Sequence, residues 1–310
     1  MYSLVIPVFR NAGSLPRLIE VVASLPACLD GPFEGVFVID GSPDESLAIL
    51  RRLLPTASFP GTVLTLSRNF GSFAAIRAGL EAAQGPFFAI MAADLQEPPE
   101  LAIEIFRRLR AGEADVVVGS REGRADPLPS RLAAAIFWGL YRRFVQHEMP
   151  PGGIDVFGCN DAARQAVLRI HERNTSLVGL LLWIGFRRGE VRYRRRPRHG
   201  GGRGGWSLAR KLRYLEDSVF AFSDLPIRLL VWIGAAGTVL APVLGLAILI
   251  ARLAGDIEVP GYTALSLLVV FFGGLNLASL GLVGSYVWRA FENTKGRPGS
   301  IVLSQERFEP

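Results

Sequence analysis

The 310-residue chain has little of what small stapled folds are built from: two Cys, three His and three Met. Two Cys exclude a disulfide framework and a Cys-rich zinc site, and Cys28 and Cys159 are read as free thiols without a role. Three scattered His with no HExxH pattern argue against a zinc hydrolase. His147, His171 and His199 are read as structural or solvated. Lysine is nearly absent, Lys211 and Lys295 being the only two, so the net charge of +6 rests on arginine. Charged residues make up only 20% against 50% hydrophobic, with a mean hydropathy of +0.31, which excludes a disordered or collagen-like chain. There is no internal repeat. Met1 leads directly into the apolar run SLVIPV, so no signal peptide is expected. Basicity of this kind leaves nucleic acid, anionic lipid or phosphate ligands as partner classes.

What the chain does have is two long apolar stretches near its end, at about Leu229–Leu253 and Thr263–Val287. Each supplies the roughly 20 residues that a bilayer span needs; the alternative is a pair of buried core helices. The connector AGDIEVPG is acidic. The outer flanks are basic, with Arg210, Lys211, Arg213 and Arg228 before and Arg289, Lys295 and Arg297 after. The positive-inside rule then puts both termini in the cytoplasm. Ser207–Phe222 carries apolar residues at helical spacing and reads as an amphipathic helix at a membrane surface, or as a solvated linker helix. Trp206 and Tyr214 suit an interface belt or core packing.

The preceding residues read as α/β. Leu4–Val8, Val36–Asp40, Val63–Leu66, Phe87–Ala92 and Asp115–Gly119 are expected strands; Ser14–Ser24, Ser72–Ala83 and Pro99–Ala111 are expected helices. Apolar runs separated by helices indicate a parallel sheet covered on both faces, and ligands of such sheets sit beyond the strands' carboxyl ends. The segments there are PVFRN, DGSPD, SRNFGS, ADLQEPPE and GSREGR. Together they place carboxylates, amides and guanidiniums on one rim, a set suited to a diphosphate bound with a divalent metal. The run Arg192–Arg198 (RYRRRPR) suits anionic headgroups or a substrate phosphate equally. Arg124 and Arg131 fit phosphate contact or plain surface charge.

The segments SLVIPVF, FVIDGSPD, LSRNFGSFAAIRAGL, MAADLQEPPEL, ADVVVGSR and FSDLPIRLL, followed by an apolar hairpin ending in KGRP, resemble the family 2 glycosyltransferases of the polyprenyl-phosphate type. That family includes dolichol-phosphate mannose synthase and undecaprenyl-phosphate sugar transferases. The resemblance covers about residues 3–303. It implies a GT-A (Rossmann-like) catalytic domain over residues 1–206, a juxtamembrane amphipathic helix over 207–226, a transmembrane hairpin over 227–290 and a cytoplasmic tail over 291–310. It implies inverting transfer of a sugar from a nucleotide-diphosphate sugar to a polyprenyl phosphate, assisted by Mg²⁺ or Mn²⁺, at the cytoplasmic face of a bacterial inner membrane. Such a product would supply cell-envelope glycan; association with further copies stays open.

The resemblance also implies roles for individual residues. Pro7, Phe9, Asn11, Asp40, Ser67, Asn69 and Asp94 would bind the nucleotide sugar, with Asp94 also the metal ligand. Asp94, Gln96, Arg121 and Arg124 would be catalytic. Arg121, Arg124, Arg198 and Arg203 would face the acceptor phosphate, and Asp155 matches an Asp of the family's GDFRL segment. The chain departs from the pattern at Ala92, where the family has the first Asp of DxD, at Ile39 and Asn11, where it has acids, and at Arg203–Trp206, which lacks a Ser-Lys pair. Glu97 is a candidate replacement carboxylate. These departures motivate an alternative: a membrane-anchored pseudoenzyme that binds nucleotide sugar or lipid phosphate without turnover. A processive polysaccharide synthase is disfavoured, since the chain has neither further spans nor a QxxRW motif. A nucleic-acid role is disfavoured further, since the basic residues lie beside the apolar stretches and no aromatic-rich nucleic-acid module is evident.

Overall fold

A computed structural model describes residues 1–122, 139, 141–143, 146, 148–150, 153–154, 156–172, 175–196, 216–254 and 261–310. These form two compact units, Met1–Tyr214 with Arg297–Pro310, and Leu215–Gly296.

The first unit is an eight-stranded mixed sheet with helices on both faces. Its strands are β1 (Tyr2–Val8), β2 (Phe33–Ile39), β3 (Gly61–Leu66), β4 (Phe87–Ile90), β5 (Val116–Arg121), β6 (Val156–Asn160), β7 (Arg188–Tyr193) and β8 (Val302–Phe308). They lie in the order β7-β5-β6-β4-β1-β2-β3-β8. β1 to β4 run parallel, β6 is antiparallel to both β4 and β5, and β7 is parallel to β5. The carboxyl ends of β1 to β5 and of β7 therefore share one rim.

Alternation along β1 shows why both faces must be covered. Leu4, Ile6 and Val8 belong to one apolar layer with α1 (Leu15–Ser24), α2 (Ser46–Leu53) and α4 (Pro99–Arg110). Val5 belongs to the other layer, with α3 (Ser72–Ala82), α5 (Asp161–Arg169) and α6 (Leu177–Trp183). A strand buried on both faces reads as a continuous apolar run. The helices follow from local chemistry. In α1, buried Leu15, Leu18, Ile19 and Val22 recur at one-face spacing. α4 has Pro99 and Glu100 in its first turn and Arg107, Arg108 and Arg110 in its last, which complements the helix dipole. Asn160 caps α5 by accepting the Ala163 N–H at 3.0 Å.

α3 and α5 cap each other's ends. The Arg77 guanidinium donates to the carbonyls of Val167, Leu168 and Ile170 at the end of α5. Arg164 donates to Leu80 and Ala83 at the end of α3, both at 3.0 Å. Each arginine satisfies orphan carbonyls that apolar packing leaves behind. α3 also lies close on the sheet: a Cβ at Gly79 would meet Val5 Cγ1 at 2.3 Å.

The five expected strands and three expected helices of the α/β region all form, with ends shifted by up to three residues. β6, β7 and β8 were not foreseen. β8 arises from the tail: residues 302–308 pair antiparallel with β3, from Gly61 opposite Phe308 to Leu66 opposite Val302. Ser67 N–H donates to Ile301 O at 3.0 Å, and Arg51 forks onto Glu306.

In the second unit, α7 (Glu216–Phe222) precedes two long helices, α8 (Leu225–Leu253) and α9 (Tyr262–Thr294). Arg289 of α9 pairs with Asp217 at 2.9 Å and Glu216 at 3.4 Å and covers the Phe220 ring. Phe220 also packs on Tyr286. Among the described residues one segment, Phe271–Thr294, is by itself long and apolar enough to cross a bilayer, and it is unburied. Glu216–Phe222 with Leu225–Gly237 meets the same test only as a pair bent by 77°. The expected two-span hairpin is thus met in one of its helices. The residues before Glu216 in the expected amphipathic helix lie outside the described set.

Two outcomes are expected. Removing residues 301–310 strips β3 of its outer partner and opens a sheet edge. Thermal unfolding should fall by roughly 5 °C or more, with increased light scattering; an unchanged transition would show that β8 adds nothing to the sheet. Asp115 is held below its ordinary value of 3.8 chiefly by hydrogen bonds from the Arg187 guanidinium, against burial, with help from the Arg187 N–H and Asn160. A carboxyl lowered in the folded state stabilises fully above its unfolded pKa and loses that stability as pH falls through the folded value. Asp115→Asn should therefore lower stability at pH 7 and flatten its fall below about pH 4, as read by denaturant titrations at stepped pH.

Candidate active site

The site lies where β1 and β4 part. They pair only as far as Val5 and Ile90, with a last bond from Met91 N–H to Val5 O at 3.1 Å. Pro7, two residues on, has no N–H to give, and none is needed on an edge that β4 has left. β2 and β3 follow on one side of β1 while β4 lies on the other, so the strand order reverses here. That is where open α/β sheets place their ligands.

On the β1 side, the loops after β1, β2 and β3 are tied together. Arg10 N–H donates to Ser42 Oγ at 2.7 Å, and Ala12 N–H donates to Asp44 Oδ2 at 3.0 Å. Asp40, 3% exposed, accepts the Phe70 N–H at 2.7 Å with one oxygen and the Gly71 N–H at 2.9 Å with the other. Asn69 Nδ2 donates to the Asp40 carbonyl at 3.1 Å. Burial pushes the Asp40 carboxyl above its ordinary value, against the pull of those two N–H groups and of Arg68. Burial works the same way on Asp44, but hydrogen bonds from Ser42, Ser46 and Ala12 outweigh it and hold Asp44 below the usual range. Arg10 covers Phe9 and Arg68 covers Phe70, with ring distances of 5.3 and 4.3 Å. Gly41, at φ +58°, brings this turn against the β3 loop, where a Cβ would sit 2.3 Å from the Asn69 nitrogen.

On the β4 side, Asp94 is 8% exposed. One oxygen accepts the Gln96 N–H at 3.2 Å, closing a turn through Leu95, which has φ +57°. Among the described residues only Leu95 and Arg10 are non-glycine with positive φ, and both lie on this rim. A non-glycine residue there costs of order 1 kcal/mol or more and persists where its surroundings hold it. Ser14 Oγ donates to Ala93 O at 2.7 Å and joins the β1 and β4 loops.

Beyond β4 the Asp94 loop meets the segment leaving β7. Arg196 N–H donates to Gln96 O at 2.8 Å, and Gln96 Nε2 donates back to Arg196 O at 3.4 Å. Arg195 lies 4.0 Å from Glu97 and Arg196 3.3 Å from Glu100. Arg194 lies 4.0 Å from Glu122 and Arg192 3.5 Å from Glu190. The described arginines of the RYRRRPR run therefore each face a carboxylate, which argues against a free anion-binding stripe. Glu97, the candidate replacement carboxylate, is buried and stands 4.0 Å from Arg195.

Of the sequence-derived residues, Pro7, Phe9, Asn11, Asp40, Ser67, Asn69, Asp94, Gln96 and Arg121 all fall on this rim. Asn11 acts in the β1 turn, accepting the Phe9 N–H at 3.2 Å through Oδ1. Arg121 ends β5 opposite Tyr193. Arg124, Arg131, Asp155, Arg198 and Arg203 lie outside the described residues. Sequence reasoning missed Ser14, Ser42, Asp44 and the Arg195–Arg196 strap. DGSPD and SRNFGS carry turn chemistry, but nothing in a sequence says which loop a short hydroxyl reaches. Among the described residues no group of three or more His, Cys, Asp or Glu could hold a metal unaided. A single buried carboxylate in a polar crevice does fit a hard cation that draws its other oxygens from a diphosphate and water.

The glycosyl transferase family 2 domain matches residues 3–170. A Synechocystis protein described as an uncharacterized glycosyltransferase is 30% identical over 97% of this chain and 94% of its own. The chain belongs to glycosyl transferase family 2. It is a glycosyltransferase, and its mixed sheet is of the GT-A kind. A prophage-derived bactoprenol glucosyl transferase of Shigella flexneri is 29% identical over 99% of both chains. A mannosyltransferase from Pyrobaculum calidifontis, solved with GDP-Man and Mn²⁺, shares 14% identity over 94% of this chain and 86% of that chain, at a TM-score of 0.47.

Gly41→Ala should force the β2 turn away from Arg68–Asn69 and break the Asp40 bonds to Phe70 and Gly71. Each donor lost to the buried Asp40 carboxylate costs about 1–3 kcal/mol. Calorimetry with nucleotide diphosphates should show at least tenfold weaker binding, since about 1.4 kcal/mol is tenfold; wild-type affinity would place the nucleotide elsewhere.

Proposed function

We propose that the chain transfers a sugar, with glucose the first to test, from a nucleotide-diphosphate sugar to a polyprenyl phosphate at the cytoplasmic face of a bacterial membrane, with inversion. The observation that carries this is the end-to-end match to a bactoprenol glucosyl transferase, 99% of each chain. That match extends beyond the sheet into the apolar helices. The buried Asp94 carboxylate at the strand-order reversal supports the donor half of the reading.

The residues suit this chemistry. A phosphate monoester is already ionised near neutral pH, so its oxygen needs no strong general base to attack the anomeric carbon. The bond to the donor diphosphate breaks and the nucleoside diphosphate leaves. Positioning and charge neutralisation between two anions are what remain for the protein to supply. Phe9, Asp40, Ser67 and Asn69 are assigned to the nucleotide, and Gln96 to the sugar side. Arg121, with Arg124, Arg198 and Arg203, is assigned to the acceptor phosphate, where guanidinium forks suit phosphate oxygens. When bound, Mg²⁺ or Mn²⁺ supplies charge neutralisation at the leaving diphosphate, and Asp94 is the residue assigned to hold it. α8 and α9 are assigned as a membrane hairpin with both termini cytoplasmic, which keeps the rim on the side of the lipid headgroups.

Ala92 favours a second reading: binding without turnover. Purified protein in detergent, with undecaprenyl phosphate, Mg²⁺ and radiolabelled UDP- and GDP-sugars, separates the two. Label should enter the lipid phase from one donor and fall about 100-fold or more in Asp94→Ala and in EDTA. Donor binding without label from any sugar would favour the second reading and direct the next substitution to Ala92→Asp.

A further inference from the structure

The loop that carries Asp94 is held from outside its own element, and the holding group is the segment that leaves β7. Leu95 sits between Asp94 and Gln96 at φ +57°. A leucine does not stay in that region on its own preference. The Asp94–Gln96 turn bond is local and, at 3.2 Å, long. Ser14 Oγ holds the loop at the Ala93 carbonyl; after Asp94 the long-range restraints are the paired Gln96–Arg196 bonds, and Arg195 against Glu97.

Glu97 is 3% exposed and Arg195 keeps 31% of its side chain in solvent. A carboxylate that buried is retained only where a cation or donors compensate its desolvation. Arg196 and Glu100, by contrast, are 54% and 70% exposed, and such pairs add little. Glu97 with Arg195, at 4.0 Å, is therefore the contact of the strap that reaches a buried charge, while Gln96 with Arg196 supplies its hydrogen bonds. The Gln96–Arg196 pairing lies one residue on along the β7 exit and one residue back along the Asp94 loop.

We propose that Glu97 and Arg195 are positioning residues for transfer: as a pair they clamp the β7 exit to the carboxylate loop, hold Leu95 in its left-handed conformation and so fix where the Asp94 carboxylate stands. The proposal rests on the transferase reading for its kinetic consequence, but not for its structural one. It also gives the RYRRR run a role other than lipid contact.

The test uses the full-length chain in detergent with Glu97→Gln, Arg195→Gln, the double variant and Arg195→Lys. Arg17→Gln, from the exposed Arg17–Glu20 pair on α1, is the control. Hydrogen exchange is followed in peptides covering residues 94–97 and 193–196, and lipid labelling gives kcat and donor KM. Both Gln substitutions should speed exchange in both peptides and lower kcat about tenfold or more at little change in donor KM, since small misplacements near reacting atoms are costly. The double variant should be no worse than either single, as for one shared contact. Arg195→Lys should recover part of the loss. Arg17→Gln should match wild type.

Wild-type exchange and kcat in Arg195→Gln would overturn the proposal, and so would effects of the two Gln substitutions that multiply in the double variant. A Glu97→Gln chain that fails to fold leaves Arg195→Gln and Arg195→Lys to decide. A wild-type chain that labels no lipid from any donor would sink the transferase reading alone, and the exchange data would still accept or reject the clamp.

Discussion

Everything in the catalytic unit depends on the early parting of β1 and β4. Four paired positions join them, from Tyr2 opposite Phe87 to Val5 opposite Ile90, after which the two backbones separate. A sheet that stayed paired to the rim would bury Asp94 between ladders. One that parted sooner would leave Leu4, Ile6 and Val8 without the apolar layer that now covers them. Beyond the last pair Pro7 offers β4 no N–H, and Ser14 bridges the parted loops by its bond to the Ala93 carbonyl. Burial of polar groups at such a point is tolerable only when each finds a partner. The loop bonds described on both sides are how that condition is met.

The arginines show how a basic chain avoids being a general anion trap. Arg77 and Arg164 are spent on helix carbonyls. Arg107 and Arg108 share Glu104, whose carboxyl is lowered to about 2, first by the Arg107 hydrogen bond. Arg192 to Arg196 face the carboxylates of Glu190, Glu122, Glu97 and Glu100. Guanidinium suits all these tasks because it stays charged and offers forked donors. A lysine would serve few of them, which gives a physical reason for the lopsided Arg-to-Lys usage noted from composition.

Periodicity made the parallel half of the fold legible. Runs such as SLVIPV and VFVI have one interpretation when helices of one-face spacing separate them, and the rim followed from knowing where those runs end. β6, β7 and β8 were not legible. VFGCN is five residues with a glycine, RGEVRY is half charged, and VLSQERF is apolar only at its two ends and looks like a tail after an apolar helix. Each becomes a strand because a neighbouring edge accepts it: β8 because β3 has an open ladder, β7 because β5 does. That is tertiary context rather than local preference. The site divides in the same way. Asp40 and Asp94 stand out as acids at strand ends. Ser14, Asp44 and Arg195 act through partners 79, 32 and 98 positions away, and no local pattern announces a partner at that range.

The acids missing from the family pattern, at Ile39, Ala92 and Asn11, take on a different weight beside this geometry. Asp40 spends both oxygens on Phe70 and Gly71, so its described role is to hold a loop as much as to meet a ligand. A second acid at position 39, which ends β2 inside the apolar layer at 2% exposure, would have to be buried without such partners. Ile39 instead packs in the same cluster as Val8 and Ala93. Asn11 keeps the acceptor oxygen that closes the β1 turn while shedding a charge, and Asp44 already supplies a lowered carboxylate next to it. Two of the departures thus preserve the loop framework and trim negative charge on the rim where the proposed reaction would place an anionic donor. The Ala92 departure is different in kind: it removes an acid from the Asp94 loop itself, where Glu97, the next acid along, stands 4.0 Å from Arg195. In the proposed reaction Asp94 is the carboxylate of this loop assigned to the leaving diphosphate, and on that reading the restraint of its backbone by the β7 exit matters more than it would in a site with both acids of the family pattern.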